Sequence, residues 1–422
     1  MSESNRSKSS FWRSLGPGLI WAATSIGVSH LVQSTRAGAM AGFSLVGVII
    51  VALILKYPFF EFGARYAAAT GKSLVEGYRN IGRWALWLFL LIALVTAVVS
   101  QSALAMFAAY LARYAFGAEW SLAATAAGLM GICIGLLVVG RYRGLDIAIK
   151  ILLVLLVLST IAAITVTAPR ADLSTLALWP TDLVGTVIPF AFLLALVGWM
   201  PSPVDVAVWS SLWTLAKDKT TGVRTSVADA RRDFMVGYIG TSVLAIAFVS
   251  LGATVLYQAD VTLSPAGAVF STQLVDMYSQ TLGAWSRPIV LIAALATIFS
   301  SLLAVIDGFP RAIARTWSNL RARTDAEAET SSGVLYWGSM VGFFVIAFFV
   351  ILAFVGSLTA MVDLATIISF LTAPVLGYFN LKAVTSSVVP PEHRPGRAMV
   401  ILTWVGLLML GGTGVAYLIS LL

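Results

Sequence analysis

The chain has 422 residues, 59% of them hydrophobic and only 11% charged. Soluble domains carry about 25% charge, so a soluble enzyme or binding module is excluded and the expected class is an all-α polytopic membrane protein. The lone cysteine, Cys133, lies in an apolar run and excludes a disulfide framework or a thiolate metal cluster, while the net charge of +8 follows from loop topology and implies no nucleic-acid partner.

Residues 1–12 form a short polar tail, expected in the cytoplasm, with no cleavable signal peptide. Hydropathy then gives eleven spans, at 16–40, 44–66, 84–114, 120–139, 145–168, 183–215, 234–256, 286–306, 333–355, 361–383 and 397–421. Residues 263–283 are weakly amphipathic and expected as a helix on the outer surface. Residues 321–332, with Asp325, Glu327 and Glu329, read as a solvated loop. Twenty-two Lys and Arg fall on the side of the N-terminus and four, Arg36, Arg113, Arg170 and Arg287, on the other, with Lys56 inside a span. This asymmetry places the N-terminus in the cytoplasm of a cell membrane, plasma or inner, and an odd number of spans then places the C-terminus outside.

Two spans are interrupted where they should be most regular. In span 1, Gly27 lowers helix propensity, and Ser29 and His30 bring polar groups to bilayer depth. In span 6, Met200-Pro201-Ser202-Pro203 sets two prolines within three residues, which frees backbone carbonyls. Broken helices at the midplane are where secondary transporters place their substrate sites. Because the breaks open two successive five-helix units, at about 16–168 and 183–383, these units are expected to form an inverted 5+5 repeat. The expected organisation is a ten-helix core over 13–383, followed by a cytoplasmic loop and an eleventh helix over 384–422.

Several motifs point to a family. Gly16-Pro17-Gly18, Arg36-Ala37-Gly38-Ala39, Gly42-Phe43-Ser44-Leu45, Ala64-Arg65 and Ala69-Thr70-Gly71 resemble the first two helices of the Nramp (natural resistance-associated macrophage protein) divalent-metal transporters. Gly198-Trp199-Met200-Pro201-Ser202 resembles the Met-Pro-His region of the family's sixth helix. The resemblance implies a LeuT-type fold of 11 transmembrane helices, broken at helices 1 and 6, and transport by alternating access. It also exposes departures. Gly27-Val28-Ser29-His30 stands where the family has Asp-Pro-Gly-Asn, so the metal-binding carboxylate is absent. Met200 is kept, but Ser202 replaces the following His. Gln101 and Leu104 align with acidic residues of the family's proton path, and span 9 has no charged residue where the family keeps an Arg.

The candidate substrate-binding residues are therefore Gly27, Val28, Ser29, His30, Trp199, Met200, Ser202, Thr24 and Asp205. His30 is either a coupling group, since imidazole exchanges protons near neutral pH, or a hydrogen-bonded brace for the unwound turn. Met200 is either a soft metal ligand, with His30 as its partner, or an adaptable filler. Asp205 supplies the missing negative charge or caps the second half of span 6. Trp199 gates the site or packs beside it. Ser25 joins Thr24, Ser29 and Ser202 in a hydroxyl cluster that serves a solute or repairs broken backbone. Lys56, Glu61 and Asp307 are expected to pair; for Lys56 a buried ion pair or snorkelling to the surface is expected, with attraction of an anionic substrate as the alternative. Asp146 and Lys150 form an ordinary i, i+4 pair.

No phosphate-binding loop, zinc helix or nucleophile elbow occurs, so the chain is not read as an enzyme and no cofactor is expected. The expected function is secondary-active transport of a small polar solute or anion, because a divalent cation leaving water needs charged or multiple oxygen and nitrogen ligands. A divalent-metal transporter using Met200, His30 and backbone carbonyls is the alternative, and a non-transporting receptor or scaffold is the rival from another class. The partners expected are the lipid bilayer and the transported solute or ion.

Overall fold

A computed structural model describes residues 16–117, 119–140, 143–324, 327, 332–354 and 356–422. The polar tail at 1–12, Asp325 and Glu329, and the Asp146 and Lys150 side chains lie outside what it describes.

The described chain is helical throughout, apart from connecting turns. Span 1 is split into α1 (Pro17–Ser25) and α2 (Thr35–Ala41). Then come α3 (Val46–Thr70), α4 (Leu74–Ile81), α5 (Arg83–Phe116), α6 (Leu122–Val139) and α7 (Arg143–Thr167). Span 6 is split into α8 (Phe190–Gly198) and α9 (Val206–Thr221). The rest comprises α10 (Val227–Leu251), α11 (Gly267–Leu282), α12 (Ser286–Arg321), α13 (Gly333–Ala353), α14 (Leu358–Thr385) and α15 (Arg397–Ser420). Serine hydroxyls accept the first free amides at four of the starts: Ser121 from Ala124, Ser226 from Asp229, Ser332 from Leu335 and Ser357 from Ala360.

Among the described residues nine helices are long and apolar enough to cross a membrane. The two discontinuous pairs lie where spans 1 and 6 were expected. The apolar stretches of α3 and α5 are 78% and 72% buried within the protein, against 22% for α13 and 28% for α15. The former are thus central and the latter face the surroundings.

Packing repeats between the halves. The two third helices, α5 and α12, run together at the centre. α12 packs on α7 as α5 packs on α14, and α5 packs on α6 as α12 packs on α13. Exchanging the first five spans for the second five maps these contacts onto one another, as an inverted repeat requires.

Three stretches depart from the hydropathy reading. α12 continues well past 306, because Asp307, Arg311 and Arg315 end the apolar window without ending the helix. α11 buries Phe270, Leu274, Met277 and Tyr278 against α5, α7 and α12. α4 was not expected, being too polar for a span, yet its signal was in the sequence. Ser73 and Glu76 form a capping box, in which the Ser73 amide donates to Glu76 Oε2 at 2.7 Å.

α4 gathers one end of the bundle. Glu76 accepts from Arg315 Nε at 2.7 Å and Asn319 Nδ2 at 2.8 Å, both on α12, while Tyr78 donates to Asn380 of α14. At the same end buried Glu61 receives Arg65 at 2.7 Å and Arg231 at 2.9 Å. Asp307 pairs with Arg311 at 2.6 Å. We call this the basic end.

The helices approach closely at glycine. A Cβ on Gly38 would stand 2.1 Å from the Val249 carbonyl oxygen, whereas one on Gly128 would meet nothing within 4 Å. Gly38→Ala is expected to cost about 1–3 kcal/mol through forced displacement, while Gly128→Ala should be neutral or stabilising by up to about 1 kcal/mol. Thermal unfolding of the two variants side by side in detergent checks this.

Candidate functional site between the two broken helices

The site is built from backbone that helices cannot satisfy. α1 ends at Ser25, and Ile26 turns to extended backbone (φ −78°, ψ 96°). Gly27 and Val28 link it to a wide π-type turn over Ser29–Ser34, which leads into α2. Hydroxyls return to the broken turn. Ser25 donates to the Trp21 carbonyl (2.8 Å), Ser29 to that of Ser25 (2.9 Å) and Ser34 to that of Ser29 (3.1 Å). From α12, Ser301 Oγ lies 3.2 Å from the Thr24 carbonyl and 3.3 Å from that of Ile26.

The second break runs from Trp199 to Val204. Trp199 is fixed to α14 by its indole N–H, which donates to Ser369 Oγ at 2.7 Å. The carbonyls of Val197 and Gly198 (2.9 Å each) and of Ser202 (3.2 Å) accept from one group, the ammonium of Lys56 on α3. Lys56 is buried and, among the described residues, forms neither of the expected arrangements: it has no carboxylate partner and does not reach the surface.

The breaks face one another, with Ser29 Oγ 3.4 Å from the Pro201 carbonyl. Between them lies a cavity of about 30 Å³, room for one or two water-sized groups. Span 1 lines it with Thr24, Ser25, Gly27, Val28 and Ser29, and span 6 with Trp199, Ser202, Pro203, Val206 and Trp209. α5 adds Ser100 and Leu104, and α12 adds Ser301, Val305 and Phe309. The Ser100 hydroxyl and the Trp209 indole N–H are buried without a hydrogen-bond partner.

Six of the predicted site residues thus meet at the cavity: Thr24, Gly27, Val28, Ser29, Trp199 and Ser202. His30, Met200 and Asp205 do not line it. The His30 ring points to α10, with Nδ1 2.8 Å from Ser29 Oγ, Nε2 2.9 Å from the Thr241 carbonyl, and Phe248 edge-on. Both nitrogens are engaged, which is the bracing arrangement. Met200 is fully buried. Asp205 immediately precedes α9 but its side chain accepts no amide of the first turn, and neither carboxylate oxygen meets hydrogen-bond geometry. Among the described residues no group of three His, Cys, Asp or Glu is placed to hold a metal ion.

The sequence reading missed Ser100, Trp209 and Ser301. They sit on regular helical turns away from the breaks themselves, which the search for Gly and Pro interruptions passes over.

Both ends of span 1 are latched. At the basic end the amides of Gly16 and Gly18 donate to Asp233 of α10 at 3.1 and 2.7 Å. Behind them Trp21 packs among Phe60, Phe234 and Tyr238, at 5.1–5.5 Å between ring centroids. At the opposite end Arg36 pairs with Asp363 of α14 through both nitrogens, at 2.6 and 3.1 Å, and lies over the Phe192 ring. Gln33 donates to the same carboxylate at 2.9 Å.

If the ring is a brace, His30→Ala removes its contacts to Ser29 Oγ and the Thr241 carbonyl, leaves a void beside Phe248 and costs about 1–3 kcal/mol. His30→Gln, which keeps a donor, should recover part of the loss. Thermal unfolding in detergent with each variant measures the difference.

A family model described as natural resistance-associated macrophage protein-like matches residues 18–420. An uncharacterized protein of Pasteurella multocida is 30% identical over 400 residues, covering 94% of this chain and 89% of its own. The metal transporter Nramp2 of Populus trichocarpa is 30% identical over 94 residues, or 21% of this chain and 18% of its own. Among solved structures, the manganese transporter of Eremococcus coleocola superposes with a TM-score of 0.71 at 13% identity, covering 95% of this chain and 85% of that one. MhsT in complex with L-phenylalanine superposes with a TM-score of 0.61 at 15% identity, covering 96% and 98%. These two share the LeuT-type fold with this chain. With the family model spanning nearly its whole length, the chain belongs to the Nramp family.

Proposed function

We propose that this protein is a secondary-active transporter that works by alternating access and carries a small neutral polar solute bearing an oxygen acceptor. The observation that supports this is the cavity lining: hydroxyls, two indoles and apolar side chains, without a carboxylate, imidazole or thioether. The Ser100 hydroxyl and the Trp209 N–H lack a partner there, and an indole N–H can only donate. A buried donor left unpaired costs about 1–3 kcal/mol, which a solute oxygen would offset. An anion suits the site less well, because Asp205 sets a carboxyl group beside the start of α9, the helix end an anion would otherwise use. The two latches on span 1 are the contacts that would open in turn. We place the protein in the plasma or inner membrane with its basic end in the cytoplasm, on the asymmetry of Lys and Arg.

The second reading is divalent-metal transport, favoured by the likeness to the poplar metal transporter and the Eremococcus manganese transporter. It would require Met200 and His30 to turn towards the cavity. A scaffold without transport is the third.

Uptake into proteoliposomes separates them. Radiolabelled small amides, polyols and amino acids are screened, with manganese as the metal arm. A neutral solute should accumulate, and Ser100→Ala or Trp209→Phe should weaken its apparent affinity about fivefold to tenfold, the worth of one hydrogen bond. Saturable manganese accumulation that falls with Met200→Ala would establish the metal reading instead. Accumulation of neither class would point to the scaffold.

A further inference from the structure

The three carbonyls that accept from Lys56 form a cation site. Val197 and Gly198 end α8, where the macrodipole is negative, and the Val197 carbonyl takes the Met200 amide at 3.2 Å as well as Lys56. Ser202 adds a third oxygen from beyond the break, and all three converge on one point within 3.2 Å. In broken-helix transporters such half-helix ends and unwound carbonyls coordinate soluble ions. Here the point is taken by a side chain. Three acceptors match the three N–H groups of an ammonium, whereas a neutral amine has two. The Phe60 ring, 5.6 Å from Nζ, adds a further favourable contact.

The charge is not there by default. A buried ammonium with no carboxylate partner is costly, and satisfying three carbonyls does not need one, since water or an amide would serve. What a charge adds is compensation of the negative end of α8. Three neutral oxygens balance one positive charge far better than two.

We propose that Lys56 is a tethered monovalent cation. It fills the carbonyl cluster at the break of span 6, so that the broken helix is electrostatically complete without a soluble ion, and it denies those oxygens to free cations. This deepens the reading of a neutral solute site and rests on it for its functional meaning. The occupancy itself can be tested without any substrate.

The experiment is thermal unfolding of the purified full chain in detergent, in sodium, potassium, methylammonium or choline chloride at matched ionic strength, with manganese chloride as a separate titration. The native protein should unfold at the same temperature in all four salts and should not respond to manganese. Lys56→Ala should be destabilised in choline, which is too large to enter. Sodium, potassium or methylammonium should restore it by several degrees, saturably, as binding to the folded state requires. A brace without an ionic role would be lost in the variant and restored by none of the salts, which would overturn the proposal. Saturable stabilisation of the native protein by sodium or manganese, abolished in Lys56→Arg, would overturn it too, because the oxygens would then be open to free ions. Lys56→Met, closer in volume, repeats the series if the alanine variant does not fold. If neither variant folds, Lys56→Gln, which keeps N–H donors without the charge, is compared with Lys56→Arg: equal unfolding temperatures would overturn the proposal, and a deficit in the glutamine variant that sodium or potassium reduces saturably supports it. Because unfolding temperature is read rather than uptake, a failed solute screen leaves this test intact.

Discussion

Backbone amides and carbonyls inside an apolar layer must find partners, and this molecule is arranged around two places where the helix stops providing them. The remedies differ with the side from which they come. Within span 1, serines donate to carbonyls of the preceding turn, and His30 props the π-type turn against α10. From outside, Ser301 on α12 serves two carbonyls of the first break, and Lys56 on α3 serves three of the second. Small residues let these helices come close: a Cβ on Gly27 would stand 2.8 Å from Ser301 Oγ, and one on Gly63 of α3 would stand 2.2 Å from the Ala207 carbonyl oxygen. The cavity is what remains once the backbone has been satisfied. The hydroxyls in its lining are there for a reason that begins with stability.

Much of the fold was legible because bilayer helices are long apolar runs and the breaks are written in Gly and Pro. The inverted repeat followed from where the breaks fall, without any visible sequence repeat. Hydropathy failed where structure leaves the apolar layer. α12 keeps its helical geometry through Asp307, Arg311 and Arg315, and α4 is a polar clasp whose only local mark is a capping box.

The site was legible as a neighbourhood and less so as a set of side chains. Along a regular helix, spacing fixes direction. Across an unwound segment it does not, so Ser29 and His30 are adjacent in sequence while one borders the cavity and the other turns to Thr241. Met200 and Asp205 diverge from Trp199 and Ser202 for the same reason. Lys56 was visible as an anomaly, but its partners are carbonyls, which no sequence pattern displays.

The two latches on span 1 are made of different chemistry, and this gives the molecule a direction. At the basic end a carboxylate holds two backbone amides, short contacts fixed within the fold. At the opposite end the latch is an ion pair whose Asp363 side chain keeps 28% of its surface exposed and Arg36 13%. Dissolved salt screens exposed charges far more than enclosed ones. Ionic strength therefore acts on the two latches unequally: salt in the medium weakens the ion pair and leaves the amide contacts at the basic end in place.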